Sequence, residues 1–264
     1  MLKLQSIASG SKGNVTYIAS DTTQIFCDVG LSLPTLLKRL LTTTIDPNMV
    51  DGIVITHEHS DHINGLKKFM AKFPRATLFL HADAVSIMEN VIGAIDINRL
   101  HTFSESFAIG DIEIDFFPLP HDSRFCFGYT FRNADCRVGV ATDLGTLPPT
   151  AIQKLAGCQV VLLESNHDMV KLQHNVKYPN WLKRRITGPT GHLSNTACGA
   201  AVYRLLREGV QQVILAHLSQ ENNCPNIAMA TVREFLTSKG VCCQNDIQID
   251  VAHQDRVGDV YHVN

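Results

Sequence analysis

Three imidazoles and a carboxylate fall within six residues at His57-Glu58-His59-Ser60-Asp61-His62, a density of nitrogen and oxygen donors that makes a ready site for divalent metal. Neutral imidazole beside carboxylate suits zinc, with iron or manganese as alternatives where geometry and supply favour them. Val50 to Thr56 is apolar and β-branched, which predicts a buried strand, and Ile63 to Phe73 has the periodicity of a helix. The donors therefore lie on a strand-to-helix turn, at the carboxyl end of a strand, where open α/β sheets place their ligands. Alternation along the extended segment points His57 and His59 the same way, while Asp61 and His62 turn round the start of the helix toward a neighbouring point. Two adjacent divalent metal ions are the expected occupants; a solvated polar loop is the bland alternative.

A dinuclear centre needs more ligands than one turn supplies, and they should again lie where strands end. His121 follows the strand-like Ile114-Asp115-Phe116-Phe117-Pro118, Asp143 closes Val138-Gly139-Val140-Ala141-Thr142, and His217 closes Val213-Ile214-Leu215-Ala216. A strand-end histidine alone is more often structural, but the three gain weight from the first motif. A carboxylate between two cations can bridge them, which suits Asp143. Glu164, in Leu162-Leu163-Glu164-Ser165-Asn166-His167, also stands at a strand end, where it could orient His192 and favour its protonated form. His192 lies in Gly191-His192-Leu193-Ser194-Asn195, ahead of a helix whose amino end favours an anion and which Ser194 or Asn195 could cap. A plain structural hydrogen bond is the alternative for that pair. Ser9-Gly10-Ser11-Lys12-Gly13-Asn14 is a hairpin turn whose amides and side chains, those of Ser9, Ser11, Lys12 and Asn14, could take phosphate oxygens. An ordinary tight turn fits equally well.

At 264 residues and 45% hydrophobic content, the chain can bury a large core and is read as a single domain over 1–264. It has no apolar run long enough for a membrane span, and Met1-Leu2-Lys3-Leu4-Gln5-Ser6 lacks the layout of a signal peptide, so a cytoplasmic protein with no membrane partner is expected. The eight cysteines form no Cys-x-x-Cys pair and read as reduced, mostly buried thiols. A formal net charge of -2 leaves nucleic-acid contact to local patches and to the metals. Lys183-Arg184-Arg185 beside Trp181 is one such patch, able to track a backbone and stack on a base; a core tryptophan beside a charged helix face is the alternative.

Strands are predicted over 2–7, 15–19, 24–28, 50–56, 77–80, 112–118, 128–131, 137–141, 160–163, 213–216 and 247–251. Helices are predicted over 33–41, 63–73, 82–92, 150–156, 181–186, 196–208 and 228–239. Both kinds are mixed throughout in two successive parts, which points to two sheets covered by helices, an α/β fold of the α+β type with its site at the seam.

His57-x-His59-x-Asp61-His62, then His121, Asp143 and His217 in that order, resemble the ligand series of the metallo-β-lactamase fold across essentially the whole chain. The resemblance implies a four-layer αββα sandwich in which His57, His59 and His121 hold one metal, Asp61, His62 and His217 the other, and Asp143 bridges them. That fold carries hydrolases of thioesters, lactones, β-lactams and phosphodiesters as well as iron oxidoreductases, so other residues must choose among them. Glu164 with His192 is similar to the ribonuclease Z and ribonuclease J branch, in which a glutamate-supported histidine assists the leaving oxygen. Ser9 to Asn14, Gly191 to Asn195 and Leu218-Ser219-Gln220-Glu221-Asn222-Asn223 together resemble the WalJ (YycJ) family. That implies 5'-to-3' exonuclease action on double-stranded DNA, and the expectation of DNA ahead of RNA rests on the resemblance alone. The chain has no room for the inserted domain of ribonuclease J and no glycine- and proline-rich arm like that of ribonuclease Z.

The implied reaction is in-line hydrolysis of a phosphodiester. Two cations lower the pKa of a bridging water and neutralise phosphoryl oxygens; Asp61 orients the nucleophile or accepts its proton, and His192, held by Glu164, protonates the leaving 3'-oxygen to give a 5'-phosphate. A small-molecule thioester or lactone hydrolase of the glyoxalase II type is the main alternative, disfavoured because its leaving groups need less help. An iron oxidoreductase or a non-catalytic binding protein has weaker support, and no motif speaks to oligomeric state.

Overall fold

The computed structural model describes residues 1–243 and 245–264. The first half of the chain runs β1 (Leu2–Ala8), β2 (Val15–Ala19), β3 (Gln24–Cys27), α1 (Leu33–Leu40), β4 (Gly52–Val54), α2 (Ser60–Ile63), α3 (Leu66–Lys72), β5 (Thr77–His81), α4 (Val85–Ile92) and β6 (Leu100–Phe103). The second runs β7 (Phe107–Ile109), β8 (Ile112–Pro118), β9 (Phe127–Asn133), β10 (Cys136–Ala141), α5 (Pro149–Leu155), β11 (Val160–Glu164), α6 (Met169–His174), α7 (Asn180–Ile186), α8 (Asn195–Arg207), β12 (Gln212–Ala216), α9 (Pro225–Ser238), β13 (Gln248–Val251) and β14 (Val260–Val263).

Two mixed sheets result, in the orders β14-β1-β2-β3-β4-β5-β6 and β13-β12-β11-β10-β9-β8-β7. Each is antiparallel over one half and parallel over the other, with β3 and β10 as the strands where the pattern changes. Alternation of side chains along the strands sorts the apolar residues into three layers. Leu4, Ile18 and Ile25 of one sheet meet Ile114, Phe131 and Val138 of the other between the sheets. Phe26 and Ile53 pack outward against Leu36 and Phe69 of the first helical layer. Val161, Leu163 and Leu215 do the same against Leu155, Val202 and Val232 of the second. Every residue of β11 is buried, as expected for a strand covered on both faces. The four-layer αββα sandwich expected from the resemblance is the fold observed.

Three local expectations need correction. The chain does not divide cleanly in two, because β14 returns to the first sheet and pairs antiparallel with β1; its exposed and half-exposed residues hide the alternation. The short strands β6 and β7 were absent from the predicted set, their apolar pattern diluted by exposed residues such as His101 and Thr102. The helix predicted over 63–73 is two pieces, α2 and α3, separated at Asn64 and Gly65. A Cβ on Gly65 would stand 2.1 Å from the Leu31 carbonyl oxygen, so a continuous helix of ordinary residues cannot pass there. All eight cysteines are free thiols, five of them buried, and no helix among the described residues is long and apolar enough to cross a membrane.

The two sheets are stitched together directly beside the first motif. Phe127 N donates to Thr56 O at 2.9 Å, and the fully buried Tyr129 hydroxyl donates to Ile55 O at 2.7 Å. Tyr129→Phe strands a buried carbonyl and is expected to cost about 1–3 kcal/mol, measurable as a lower urea midpoint at unchanged m-value.

Candidate metal centre

Within the first sheet β1, β3 and β4 run the same way, and within the second β8, β10, β11 and β12 do. The residues that follow these strands converge on one edge of the sandwich. Asp28, Asp143 and His217 each adopt a left-handed backbone, with φ of 66°, 63° and 54°, just beyond the ends of β3, β10 and β12. Such conformations are uncommon outside glycine, though Asn, Asp and His tolerate them best, and they cluster where structure serves a site. Here they turn each side chain from its strand line into the cleft.

The six expected terminal ligands form two groups. His57, His59 and His121 bring one ring nitrogen each within 4.8 Å of one another, as do the donor atoms of Asp61, His62 and His217. Asp143 adjoins both groups: its carboxylate lies within 4.8 Å of donor nitrogens of His57 and His62, with Oδ2 3.2 Å from His62 Nε2 and Oδ1 3.4 Å from His217 Nε2. The outer nitrogens of several rings are already engaged, which leaves the inner ones as lone pairs facing the centre. Thr56 Oγ1 is 3.1 Å from His57 Nδ1 and Asp28 Oδ2 is 2.7 Å from His62 Nδ1. Gly191 O is 3.2 Å from His121 Nδ1, and Glu164 Oε1 is 3.1 Å from His217 Nδ1. His57 Nε2 and Asp143 Oδ2 are buried with no hydrogen-bond partner among the described residues, and such orphaned donors fit a pair of divalent cations.

Glu164 is completely buried and fully engaged. Its Oε1 accepts from His192 Nδ1 at 2.7 Å as well as from His217, and its Oε2 accepts from the backbone amides of Leu144 and Leu193 at 3.0 and 3.1 Å. A carboxylate offers about four lone-pair positions, so none is left for a cation. His192 therefore has Nδ1 committed and its other nitrogen free, on a side chain 23% exposed at the mouth of the cleft. Its ring stacks on that of His217 at 5.4 Å between centroids.

The residues expected to bind phosphate divide by exposure. Ser9 Oγ accepts from His217 N at 2.8 Å, and Asn14 accepts from Gly10 N while its amide nitrogen lies 2.9 Å from His62 Nε2. Both are buried; Ser9 fixes the backbone of His217, and the Asn14 amide lies against the inner nitrogen of His62. Ser194 Oγ accepts from Ala197 N and caps α8, while buried Asn195 exchanges hydrogen bonds with Ser165 and Asn223. Ser11 and Lys12 are exposed at the hairpin tip. Gly30 lets this hairpin reach the metal turn: it donates to Asn14 O, Asn14 N donates to Asp61 O, and a Cβ on Gly30 would overlap the same Asp61 oxygen at 1.7 Å.

Three buried residues that sequence reasoning passed over support the ligands. Asp28 accepts from Thr56 N and Oγ1, both at 2.8 Å, besides engaging His62. Its position at a strand end is the signal that singled out Asp143, and it applied here equally. Asn166 Nδ2 donates to His217 O at 2.9 Å, and Asn223 bonds the Ser165 and Asn166 carbonyls; both lie in segments already singled out in the sequence, where their own roles carry no local signal.

The charges of the cleft lean heavily on protons. Burial depresses the His217 imidazolium, but Asp143, Asp61 and Glu164 outweigh it and push the pKa up to about 10. Burial likewise opposes charge on His62, where Asp143 and Asp28 raise the pKa well above its ordinary value. Burial and the neighbouring His62 keep His57 neutral. A cation must displace the protons from His62 and His217 before it can bind. Calorimetry in buffers of different ionisation enthalpy should accordingly show at least one proton released on metal uptake at pH 7, and affinity should rise about tenfold per pH unit for each proton displaced. Uptake with no buffer dependence would mean that His217 is already neutral.

Residues 23–218 match the Beta-lactamase superfamily domain. The chain is 32% identical over 241 residues to the exodeoxyribonuclease YycJ of Bacillus anthracis, covering 90% of each protein. It is 32% identical over 234 residues to the exodeoxyribonuclease WalJ of Streptococcus pneumoniae, covering 87% of this chain and 86% of that one. The metallo-β-lactamase-fold protein YhfI from Bacillus subtilis superposes with a TM-score of 0.73 at 13% identity, over 98% of both chains, a likeness of fold. The domain match and the two full-length relatives agree with the donor set in the cleft, and the chain belongs to the metallo-β-lactamase superfamily, in its WalJ (YycJ) family of metal-dependent hydrolases.

Proposed function

We propose that the protein is a dinuclear-metal phosphodiesterase that degrades DNA from its ends, as the names of its two exodeoxyribonuclease relatives suggest, with the 5'-to-3' direction following from the resemblance to the WalJ (YycJ) family. The observation that carries this reading is the shared Glu164, which supports the metal-facing His217 and the solvent-facing His192 with one oxygen. A hydrolase of thioesters or lactones has little use for a second, protonated imidazole beside its metals, whereas an alkoxide leaving from phosphorus needs a proton.

In this reading His57, His59 and His121 would hold one cation and Asp61, His62 and His217 the other, with Asp143 as a ligand that both could share; zinc is the metal such a histidine-rich set favours. When bound, the cations supply a nucleophile at neutral pH and neutralise the phosphoryl oxygens. Asp61, whose carboxylate is 21% exposed and whose Oδ2 is 3.4 Å from His217 Nε2, orients the attacking water and takes its proton. Burial works against charge on His192, but the Glu164 carboxylate, through charge and hydrogen bond, and Asp143 hold its pKa above the ordinary value. The free nitrogen of His192 is thus a proton donor at neutral pH. It passes its proton to the 3'-oxygen as the phosphorus–oxygen bond breaks, leaving a 3'-hydroxyl and a 5'-phosphate.

His192→Ala is expected to lower kcat on a labelled duplex by roughly 10²–10⁴-fold with metal content intact. Glu164→Gln should lower both kcat and metal content, because it also weakens the support of His217. Equal metal loss in the His192 variant would make that residue a ligand instead. Turnover of thioesters with none of any nucleic acid would sink the phosphodiesterase reading.

A further inference from the structure

The segment between β11 and His192 does more than connect a strand to a helix. Residues 168–191 include five lysines and arginines and a single acid, Asp168, in a chain of net charge -2. Three of the cations are committed: Lys177 pairs with Glu221 at 3.0 Å, Lys183 donates to Gln173 O, and Arg185 donates to Asp122. Lys171 and Arg184 are exposed and have no side-chain hydrogen bond or ion pair among the described residues. Trp181 is 61% exposed, so it is not the core residue its hydrophobicity suggests. A tryptophan normally hides its large apolar surface, and this one stands open among cations.

The position of these residues relative to the cleft is set by α7. Trp181, Arg184 and Arg185 are three and four residues apart and share one helical face. The far end of that face is tied to the metal centre: His192 N donates to Ile186 O at 2.8 Å, and Asp122, the partner of Arg185, lies 3.5 Å from His121 Nε2. Gly191 makes the junction possible, since a Cβ there would stand 2.2 Å from Ile186 O. The rise from Trp181 to Ile186 is about 7.5 Å, roughly two stacked base steps of ~3.4 Å each.

We propose that this face of α7 grips the DNA strand, with Trp181 stacked on a base about two nucleotides from the phosphate that faces His192, and Arg184 on the backbone. The proposal rests on the nuclease reading above and adds the element that holds the polymer in a chain with no inserted domain. Aromatic stacking flanked by cations is how single strands are held without regard to sequence, and it suits an enzyme that must pass every base in turn.

Trp181 is the chain's single tryptophan, so its fluorescence reports this site alone. Titrating the metal-loaded protein with a phosphorothioate oligothymidylate should quench that fluorescence, and Trp181→Ala and Arg184→Glu should each raise KM for DNA about tenfold at wild-type metal content and melting temperature. Trp181→Phe should recover most of the loss. Unquenched fluorescence at saturating oligonucleotide, or an unchanged KM in both variants while the wild type digests DNA, would overturn the grip and leave the nuclease standing. A wild type that cleaves bis(p-nitrophenyl) phosphate but neither binds nor digests DNA would remove both the grip and the nucleic-acid substrate.

Discussion

A carboxylate removed entirely from water is tolerated only when its charge is met on every side, and Glu164 is the group on which the catalytic edge depends. Its four acceptor positions take two imidazole N–H groups and two backbone amides. The four donors come from three separate stretches of chain: Leu144 from the turn after β10, His192 and Leu193 from the approach to α8, and His217 from the end of β12. Satisfying one buried charge therefore fixes where three loops lie relative to one another. Breaking such an arrangement from one side typically costs about 3–5 kcal/mol, far more than a surface ion pair. His192 and His217 hold their protons more firmly against its negative charge, and Glu164 is itself held down at about 2, burial notwithstanding, chiefly by the charge and hydrogen bond of His192.

The first sheet repeats the device in simpler form. Asp28 is buried, accepts from the amide and hydroxyl of Thr56, and engages the outer nitrogen of His62. Each half of the sandwich thus contributes one carboxylate that aims one ligand imidazole from behind. The difference is that Asp28 ends at its ligand, whereas Glu164 continues to a second histidine that reaches solvent. Around Glu164 the Ser165 hydroxyl and the buried side-chain amides of Asn195 and Asn223 close the polar layer, and such networks specify one geometry when fully satisfied.

Much of the site was legible in the sequence because its donors obey local rules. His57, His59, Asp61 and His62 occupy one turn, so their proximity follows from chain geometry. His121, Asp143, Glu164 and His217 each close an apolar run, and parallel strands that share a direction deliver their ends to one edge. The same rule would have flagged Asp28, which was absorbed into the predicted strand instead. Ser9 and Asn14 read as phosphate binders because a Gly/Ser turn exposes amides and hydroxyls in isolation; their burial against His217 and His62 depends on the approach of Gly30 and β12, which no local pattern carries. The strand β14 was lost for a related reason, since an edge strand with one covered face shows too little alternation to be seen.

Local spacing by itself thus determined the donor types, the expectation of a divalent metal and the strand-end placement of the candidate donors, because those depend on residues a few positions apart. Only the tertiary structure decided which nitrogen of each imidazole faces the centre, that Glu164 serves two histidines at once, and that Trp181 stands in solvent beside the cleft. Those properties arise chiefly from contacts between residues 28 to 70 positions apart in the chain, such as Glu164 with His192 and His121 with Gly191, and proximity over such separations is created by the packing of the two sheets.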